Sequence, residues 1–231
     1  MTRLLALETS GQACSVALRQ GGEIIEHYEV IPRLHARKIL PMINDLLAQT
    51  ELKLNQIDAI AFTRGPGSFT GIRIATGIAQ GLGFGLDIPL LPVSTLATLA
   101  QTVYREYNAQ QVMTVLDAHM KEVYWGCYRE QDGLMELLGE EQIGSPESLQ
   151  AAFPREGRQS WVGAGDGWHD TQNFPEAVAS GVLSVYPDCC PRAQDLLRLA
   201  LRDYRAGLLM SPESAQPAYL RGKSAWRKWQ E

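Results

Sequence analysis

Cysteine is scarce in the chain, and its four copies follow neither a disulfide framework nor a metal-binding pattern. They stand at Cys14, Cys127, Cys189 and Cys190. A bond between the neighbours Cys189 and Cys190 would be strained. We therefore expect reduced thiols, as is usual for a protein of the cytosol.

Basic side chains are also in the minority, because 21 Lys and Arg stand against 26 Asp and Glu, a net charge of −5. A protein that holds nucleic acid by itself normally presents a basic surface, since phosphate neutralisation dominates that affinity. The balance therefore argues against a stand-alone nucleic-acid binder. No apolar run approaches the ~20 residues that span a bilayer, and residues 1–11 lack a signal-peptide pattern. We expect a cytoplasmic protein with no membrane partner.

Metal-binding and phosphate-binding motifs are missing as well. No two of the four histidines are four residues apart, so one helix face cannot supply two imidazole ligands. The His-Glu-x-x-His motif of metalloproteases is absent. The glycine-rich segment at 64–73 is not followed by Gly-Lys-Ser/Thr and is therefore not a Walker A loop. We predict no metal site.

The most informative segment is this glycine-rich stretch, which has the sequence RGPGSFTGIR. An apolar run at 57–62 precedes it and a helical segment at 74–86 follows it, so the pattern predicts a strand, a tight turn and a helix. Gly65 and Gly67 permit backbone angles that other residues resist. Ser68 or Thr70 can cap the new helix.

Two ladders of small residues, each with a four-residue spacing, run along this predicted helix. The first ladder is Gly71, Ala75, Ala79 and Gly83, and the second is Gly77, Gly81 and Gly85. Each glycine costs a helix interior about 1 kcal/mol relative to alanine, so we expect another backbone to approach closely. The preceding helix, at 36–50, is apolar over more than half of its circumference. We predict that the two helices form an exposed, self-complementary interface made of His35, Ile39, Met42, Ile43, Gly71, Ile72, Ala75 and Ala79.

Each half of the sequence opens with a strand, a short polar turn and two further strands. This repeat predicts an α/β protein with an actin-like fold of two lobes, each a mixed sheet flanked by helices, at 1–108 and 109–231. In that architecture the polar turns, here at 8–10 and 117–119, face a cleft that holds nucleotide phosphates. The candidate nucleotide contacts are Thr9, Ser10, Asp117, Gly163 and Gly165. Alternatively, these are structural turns whose polar groups bond their own backbone.

Five sequence blocks, in the right order, resemble one family. They are residues 7–10 (LETS), 35–43 (HARKILPMI), 65–73 (GPGSFTGIR), 116–118 (LDA) and 217–221 (PAYLR). The family is TsaB, also called YeaZ, of the bacterial tRNA threonylcarbamoyladenosine biosynthesis proteins. The resemblance covers essentially the whole chain. It implies a non-catalytic subunit that binds the catalytic subunit TsaD and the ATPase subunit TsaE, forms a homodimer when alone, and reaches tRNA only through the complex.

The catalytic relatives of that family hold iron or zinc with a His-x-x-x-His pair, and the matching positions here resemble Thr95 and Leu99. A hydroxyl and an aliphatic side chain cannot replace two imidazoles. The resemblance therefore implies no catalytic residue and no cofactor in the isolated chain, while ATP or ADP is compatible with the complex. The alternative is an independent small-molecule kinase or ATPase of the same fold. Glu8 and His119 weaken that alternative, because turns that contain these side chains are poorly suited to binding phosphate.

The C-terminal segment combines cations with tryptophans. Such a segment can contact RNA through charge and stacking, or its tryptophans can pack on the protein. The residues concerned are Arg221, Lys223, Trp226, Arg227, Lys228 and Trp229.

Overall fold

The computed structural model describes residues 2–152 and 161–220. The first half of the chain forms strands β1 (Arg3–Glu8), β2 (Ala13–Gln20), β3 (Glu23–Val30), β4 (Ala59–Gly65) and β5 (Leu90–Ser94). Its helices are α1 (His35–Gln49), α2 (Phe69–Leu86) and α3 (Thr95–Tyr107). The predicted contacts of the C-terminal segment, at 221–231, lie outside the described residues.

The second half forms strands β6 (Gln111–Asp117), β7 (Val123–Gln131), β8 (Leu134–Gly144), β9 (Trp161–Ala164) and β10 (Val182–Tyr186). Its helices are α4 (Leu149–Ala152), α5 (Glu176–Ala179) and α6 (Ala193–Arg205). None of the helices in the described ranges is long and apolar enough to cross a bilayer.

The ten strands form two five-stranded sheets of the same design. In the first sheet the order is β3-β2-β1-β4-β5, and in the second it is β10-β9-β6-β7-β8. Each sheet begins with an antiparallel meander of three strands and adds two parallel strands beside the first. The predicted fold class, two lobes that are each a mixed sheet flanked by helices, is confirmed.

Helices cover both faces of each sheet. Along β1, Leu5 and Leu7 pack with α1 and α2, whereas Leu4 and Ala6 pack with α6 on the opposite face. This alternation follows from the two-residue period of a strand. Helix α3 packs on the second sheet and also contacts α6. Helices α3 and α6 therefore lie between the two sheets.

The chain returns to the first sheet after it has completed the second sheet. Helix α6 packs on the first sheet, and the segment that follows it stays there. Met210 exchanges two backbone hydrogen bonds with Leu90, and the Ala218 N–H donates to the Arg64 carbonyl at 2.8 Å. The physical reason is that Leu4 and Ala6 leave an apolar face on the first sheet that α6 must cover.

Two further elements differ from the sequence-based expectation. Helix α2 begins at Phe69 rather than residue 74, because Ser68 caps it by accepting a hydrogen bond from the Gly71 N–H at 3.3 Å. Pro92 lies within strand β5 and Pro89 just before it, although proline disfavours a strand interior. Proline is tolerated there because β5 is an edge strand.

A buried ion pair joins the two central helices. Arg105 on α3 donates three hydrogen bonds to the fully buried Asp195 on α6: Nε to Oδ1 at 2.8 Å, Nε to Oδ2 at 3.1 Å and Nη2 to Oδ2 at 2.9 Å. Burial raises the pKa of the Asp195 carboxyl, and the hydrogen bonds from Arg105 oppose that rise. The pair holds α3 and α6 in one orientation between the sheets.

Removing the cation from this pair should be far more costly than removing an exposed one. We expect Arg105→Met to lower the free energy of unfolding by about 3–5 kcal/mol, because the buried Asp195 carboxylate loses its bidentate partner and Arg198 approaches it no closer than 4.0 Å. The control is Lys38→Met, since Lys38 pairs with Glu29 on the surface and such pairs contribute less than about 1 kcal/mol. Urea denaturation measures both values, and equal losses would contradict the structural role of the pair.

Candidate functional site

The first polar turn, residues 8–10, packs directly against the beginning of α2. The Thr9 hydroxyl donates to the Gly71 carbonyl at 2.7 Å, and the Ser68 N–H donates to the Ser10 carbonyl at 2.8 Å. A Cβ atom added to Gly71 would lie 2.0 Å from the Thr9 carbonyl oxygen. One at Gly67 would lie 2.6 Å from that of Ser10. Glycine is therefore required at both positions for the two backbones to meet.

This contact contradicts the prediction that Thr9 and Ser10 line an open phosphate site. Their exposed fractions are 0% and 2%, respectively. The Thr9 hydroxyl is bonded to α2, and the Ser10 hydroxyl donates to Glu8 Oε1 at 2.5 Å. The first turn of α2 thus occupies the space beside the turn.

Glu8 adds a second obstacle to phosphate binding. Its side chain is buried, and burial raises its pKa to about 7, although the hydrogen bonds from Ser10 and the nearby Thr63 hydroxyl partly oppose the rise. Whenever this carboxyl ionises, it places a negative charge in the turn, which repels an anionic phosphate.

The glycine segment after β9 is packed rather than open. A Cβ atom at Gly163 would lie 2.6 Å from Trp168 Cε2. One at Gly165, where φ is +101°, would lie 2.5 Å from the Val115 carbonyl oxygen. The Trp168 indole N–H donates to the Met113 carbonyl at 3.3 Å, which holds the ring in place. These glycines make room for the chain's own packing. Their role as nucleotide contacts stays a prediction.

Asp117 is the one predicted nucleotide contact that faces solvent. Its carboxylate accepts a hydrogen bond from the His119 N–H at 2.8 Å and lies 3.1 Å from His119 Nδ1. Its own N–H donates to Asp166 Oδ1 at 2.9 Å. Since the other four candidates are buried or closely packed, the structure does not bring the five together into one open site.

A cavity of about 450 Å³ lies between the two sheets, lined in part by Ser94 and Glu141. The Glu141 carboxylate accepts hydrogen bonds from the hydroxyls of Ser94 and Tyr128. Four carboxylates and two guanidinium groups line the cavity, and Arg202 is already bonded to Glu136 at 2.6 Å. This excess of negative charge does not suit a polyphosphate.

The positions that correspond to metal ligands in the catalytic relatives face the interior of the protein. Thr95 and Leu99 are both buried in α3. The Leu99 side chain packs against Gly165. A hydroxyl and an isobutyl group do not fit a zinc or iron ion, which needs nitrogen, sulfur or carboxylate ligands.

The predicted interface residues are all buried in the protein's own core, which corrects the prediction that they form an exposed patch. Helices α1 and α2 turn these residues toward the first sheet. The His35 Nε2 lies 3.1 Å from the Ala13 carbonyl oxygen. The first ladder of small residues thus lets α2 approach its own turn and strands. The eight residues are His35, Ile39, Met42, Ile43, Gly71, Ile72, Ala75 and Ala79.

The second ladder lies on the opposite side of α2, in solvent. Added Cβ atoms at Gly77, Gly81 and Gly85 would meet nothing within 4 Å. Two phenylalanines flank this stripe with exposed fractions of 68% for Phe69 and 71% for Phe84. We call the exposed side of α2 the outer face; its residues are Phe69, Arg73, Gly77, Gly81, Phe84 and Gly85.

The neighbouring groups extend the outer face. The Arg73 guanidinium lies over the Phe69 ring, 3.3 Å from its centre, and 5.2 Å from the centre of the Tyr219 ring. On α1, which lies beside α2, Leu40 is 47% exposed. The sequence contained the signal for this surface, since both ladders were visible, but it did not show which ladder turns outward.

Known proteins resemble the chain over nearly its full length. The model of the family described as TsaD, tRNA N6-adenosine threonylcarbamoyltransferase, matches residues 23–229. The tRNA threonylcarbamoyladenosine biosynthesis protein TsaB of Escherichia coli is 41% identical, over 98% of this chain and 97% of that protein. The protein of the same name from Haemophilus influenzae is 40% identical, over 97% and 96%.

Among solved structures, YeaZ from Pseudomonas aeruginosa superimposes with a TM-score of 0.89 at 48% identity, over 95% of this chain and 100% of that one. The two-lobed fold and the matching family model together define a protein of the TsaD-related class. The chain belongs to the TsaB family of tRNA threonylcarbamoyladenosine biosynthesis proteins.

A pair of glycine substitutions on α2 tests the contact between the turn and the helix. We expect Gly71→Ala to destabilise the fold by at least about 1–3 kcal/mol, which is the usual cost of overpacking. The reason is that the new methyl group would overlap the Thr9 carbonyl oxygen. Gly77→Ala should instead stabilise the fold by up to about 1 kcal/mol, since alanine favours a helix and the space there is open. Thermal and urea denaturation measure both effects. Two changes of the same sign would contradict the packing.

Proposed function

We propose that the chain is a cytoplasmic, non-catalytic subunit of tRNA threonylcarbamoyladenosine biosynthesis. It binds a TsaD-type catalytic subunit through the outer face of α2 and the adjacent side of α1, and it acts together with the ATPase subunit TsaE. The observation that carries this proposal is the outward glycine ladder flanked by two exposed phenylalanines. Membership of the TsaB family supports it.

The outer face has the properties of a helix-docking surface. Glycines without Cβ atoms let a second helix approach closely, and large aromatic side chains beside them supply apolar area. A surface helix gains nothing for its own fold from Gly77, Gly81 and Gly85, each of which costs about 1 kcal/mol relative to alanine. A partner helix packed against this stripe would account for all three.

The match to the TsaD family model indicates that a TsaD-type partner shares this architecture. Two related lobes can pair through corresponding helices about an approximate two-fold axis. The same surface would join two copies of this chain in a homodimer when the partner is absent. This arrangement leaves tRNA contact to the complex, in keeping with the net charge of −5.

The filled turns support the absence of catalysis in the isolated chain. Thr9 and Ser10 contact α2, Trp168 packs on Gly163, and no imidazole stands at Thr95 or Leu99. We infer that the ATP or ADP used in the pathway is held by the assembled complex. An independent kinase or ATPase would need an open phosphate turn, and no observation on the described residues favours that alternative.

Substituting the outer face should weaken docking without unfolding the chain. We expect Gly77→Leu and Gly81→Leu each to weaken binding to the TsaD subunit at least tenfold, because the added side chains separate the helices, and tenfold in Kd corresponds to about 1.4 kcal/mol. Surface plasmon resonance with purified TsaD measures this. The matched control is Leu183→Ser, at an exposed position of the second lobe, which should bind as the unaltered chain does.

The monomers of both glycine variants should remain folded, because the space around Gly77 and Gly81 is open. Denaturation of each variant verifies this. Unchanged affinity for TsaD in well-folded variants would show that the interface lies on another surface.

Nucleotide binding separates the proposal from the kinase alternative. Because the turn at 8–10 is filled, we expect titration of the isolated chain with Mg²⁺–ATP to give no saturable heat in calorimetry. The same titration with TsaD added to the calorimeter cell shows whether the complex binds the nucleotide. Tight, stoichiometric ATP binding by the isolated chain would favour the kinase or ATPase.

A further inference from the structure

The cavity between the two sheets is shaped by a bulge in the edge strand β8. One residue of β7, Gly126, stands there opposite three residues of β8, at 139–141. Gly139 opens the bulge with a φ of +81°, and bulges of this kind turn the neighbouring side chains in a new direction. The two residues that follow, Glu140 and Glu141, both line the cavity.

These two carboxylates have no cationic partner in the described part of the chain. The cavity wall carries two more carboxylates than guanidinium groups. Arg202 is already occupied, because it contacts Glu136 at 2.6 Å and Asp203 at 2.9 Å. Within the described residues neither Glu140 nor Glu141 forms an ion pair. The cavity therefore favours a positively charged occupant.

The segment that follows α6 runs along α2 toward this cavity. Gln80 of α2 donates to the Ala215 carbonyl at 2.8 Å. The Ala218 N–H then donates to the carbonyl of Arg64, which itself lines the cavity. Leu220, two residues further on, lines the cavity as well. The last described residue thus lies at the cavity wall.

The C-terminal segment, residues 221–231, continues the chain from this wall. Consecutive Cα atoms are about 3.8 Å apart, so chain connectivity brings Arg221 within a side chain's length of the cavity. Lys223 follows two residues later. These two cations match in number the two carboxylates that the cavity has in excess.

We propose that the cavity between the sheets is the docking site of the chain's own C-terminal segment, in which Arg221 and Lys223 pair with Glu140 and Glu141. The docked segment connects α2 of the first lobe to β8 of the second lobe, and it withdraws these two cations from RNA. This proposal does not depend on docking to TsaD through the outer face.

Trypsin cleavage of the full-length chain tests the docking, because trypsin must bind the side chain after which it cleaves. Cleavage after Arg221 relative to cleavage after Arg227 should be about tenfold lower in the chain than in a free peptide of residues 217–231, since cleavage tracks the undocked population. Glu140→Gln should raise this ratio about threefold, which is the effect of removing one exposed ion pair.

The matched control is Glu23→Gln, which removes an exposed carboxylate of β3 away from the cavity and should leave the ratio unchanged. Thermal denaturation verifies that both variants are folded. If Glu140→Gln also leaves the ratio unchanged, the nearby lobe alone shields the bond and the proposal fails. Protection that arises only after tRNA is added would assign the cations to RNA and would equally overturn it.

Cross-linking provides a readout that needs no variant. A water-soluble carbodiimide joins an amine to a carboxyl group, with loss of water, where the two are in contact. We expect peptide mass spectrometry to find Lys223 joined to Glu140 or Glu141, and a mixture of unlabelled and nitrogen-15-labelled chains to show both peptides coming from one chain. Links only between different chains would assign the cavity to a second copy. That result, or the absence of any link from Lys223 to the bulge, would refute the proposal.

Discussion

The close contact between the turn at 8–10 and the first turn of α2 is the constraint on which the rest of the structure depends. Gly67 and Gly71 make it geometrically feasible, since a Cβ atom at either position would overlap a carbonyl oxygen of the turn. The contact fixes the position of α2 on the first sheet. It also buries Thr9 and Ser10. One contact therefore sets the position of α2 and closes the turn at 8–10.

The two lobes share a topology, and each packs its own turns internally. The first lobe closes its turn with α2, and the second packs Trp168 onto Gly163. Between the sheets, the ion pair of Arg105 and Asp195 holds α3 against α6. These contacts are all internal to the chain. The large apolar residues that stay exposed include Phe69 and Phe84 on the outer face.

Helix α2 shows how far a pattern can be interpreted from sequence. Two ladders of small residues were evident, and the requirement for close backbone approach was correct. Gly71, Ala75 and Ala79 nevertheless face the chain's own turn and sheet, because α2 must cover the apolar side of β1 and β4. Gly77, Gly81 and Gly85 lie on the exposed side instead. Periodicity identifies the faces of a helix, but only the neighbouring sheet decides which face is buried.

The sequence by itself determined the elements, the repeated strand pattern and the family, because these depend on local spacing and on motifs such as that at 64–73. It also showed that no His-x-x-x-His pair is present, because no two of the four histidines are four residues apart. Tertiary structure decided the rest. The return of α6 to the first sheet, the burial of Thr9 and Ser10, and the raised pKa of Glu8 all arise from contacts between residues far apart in the chain. Such contacts depend on which surfaces meet, and local sequence does not encode them.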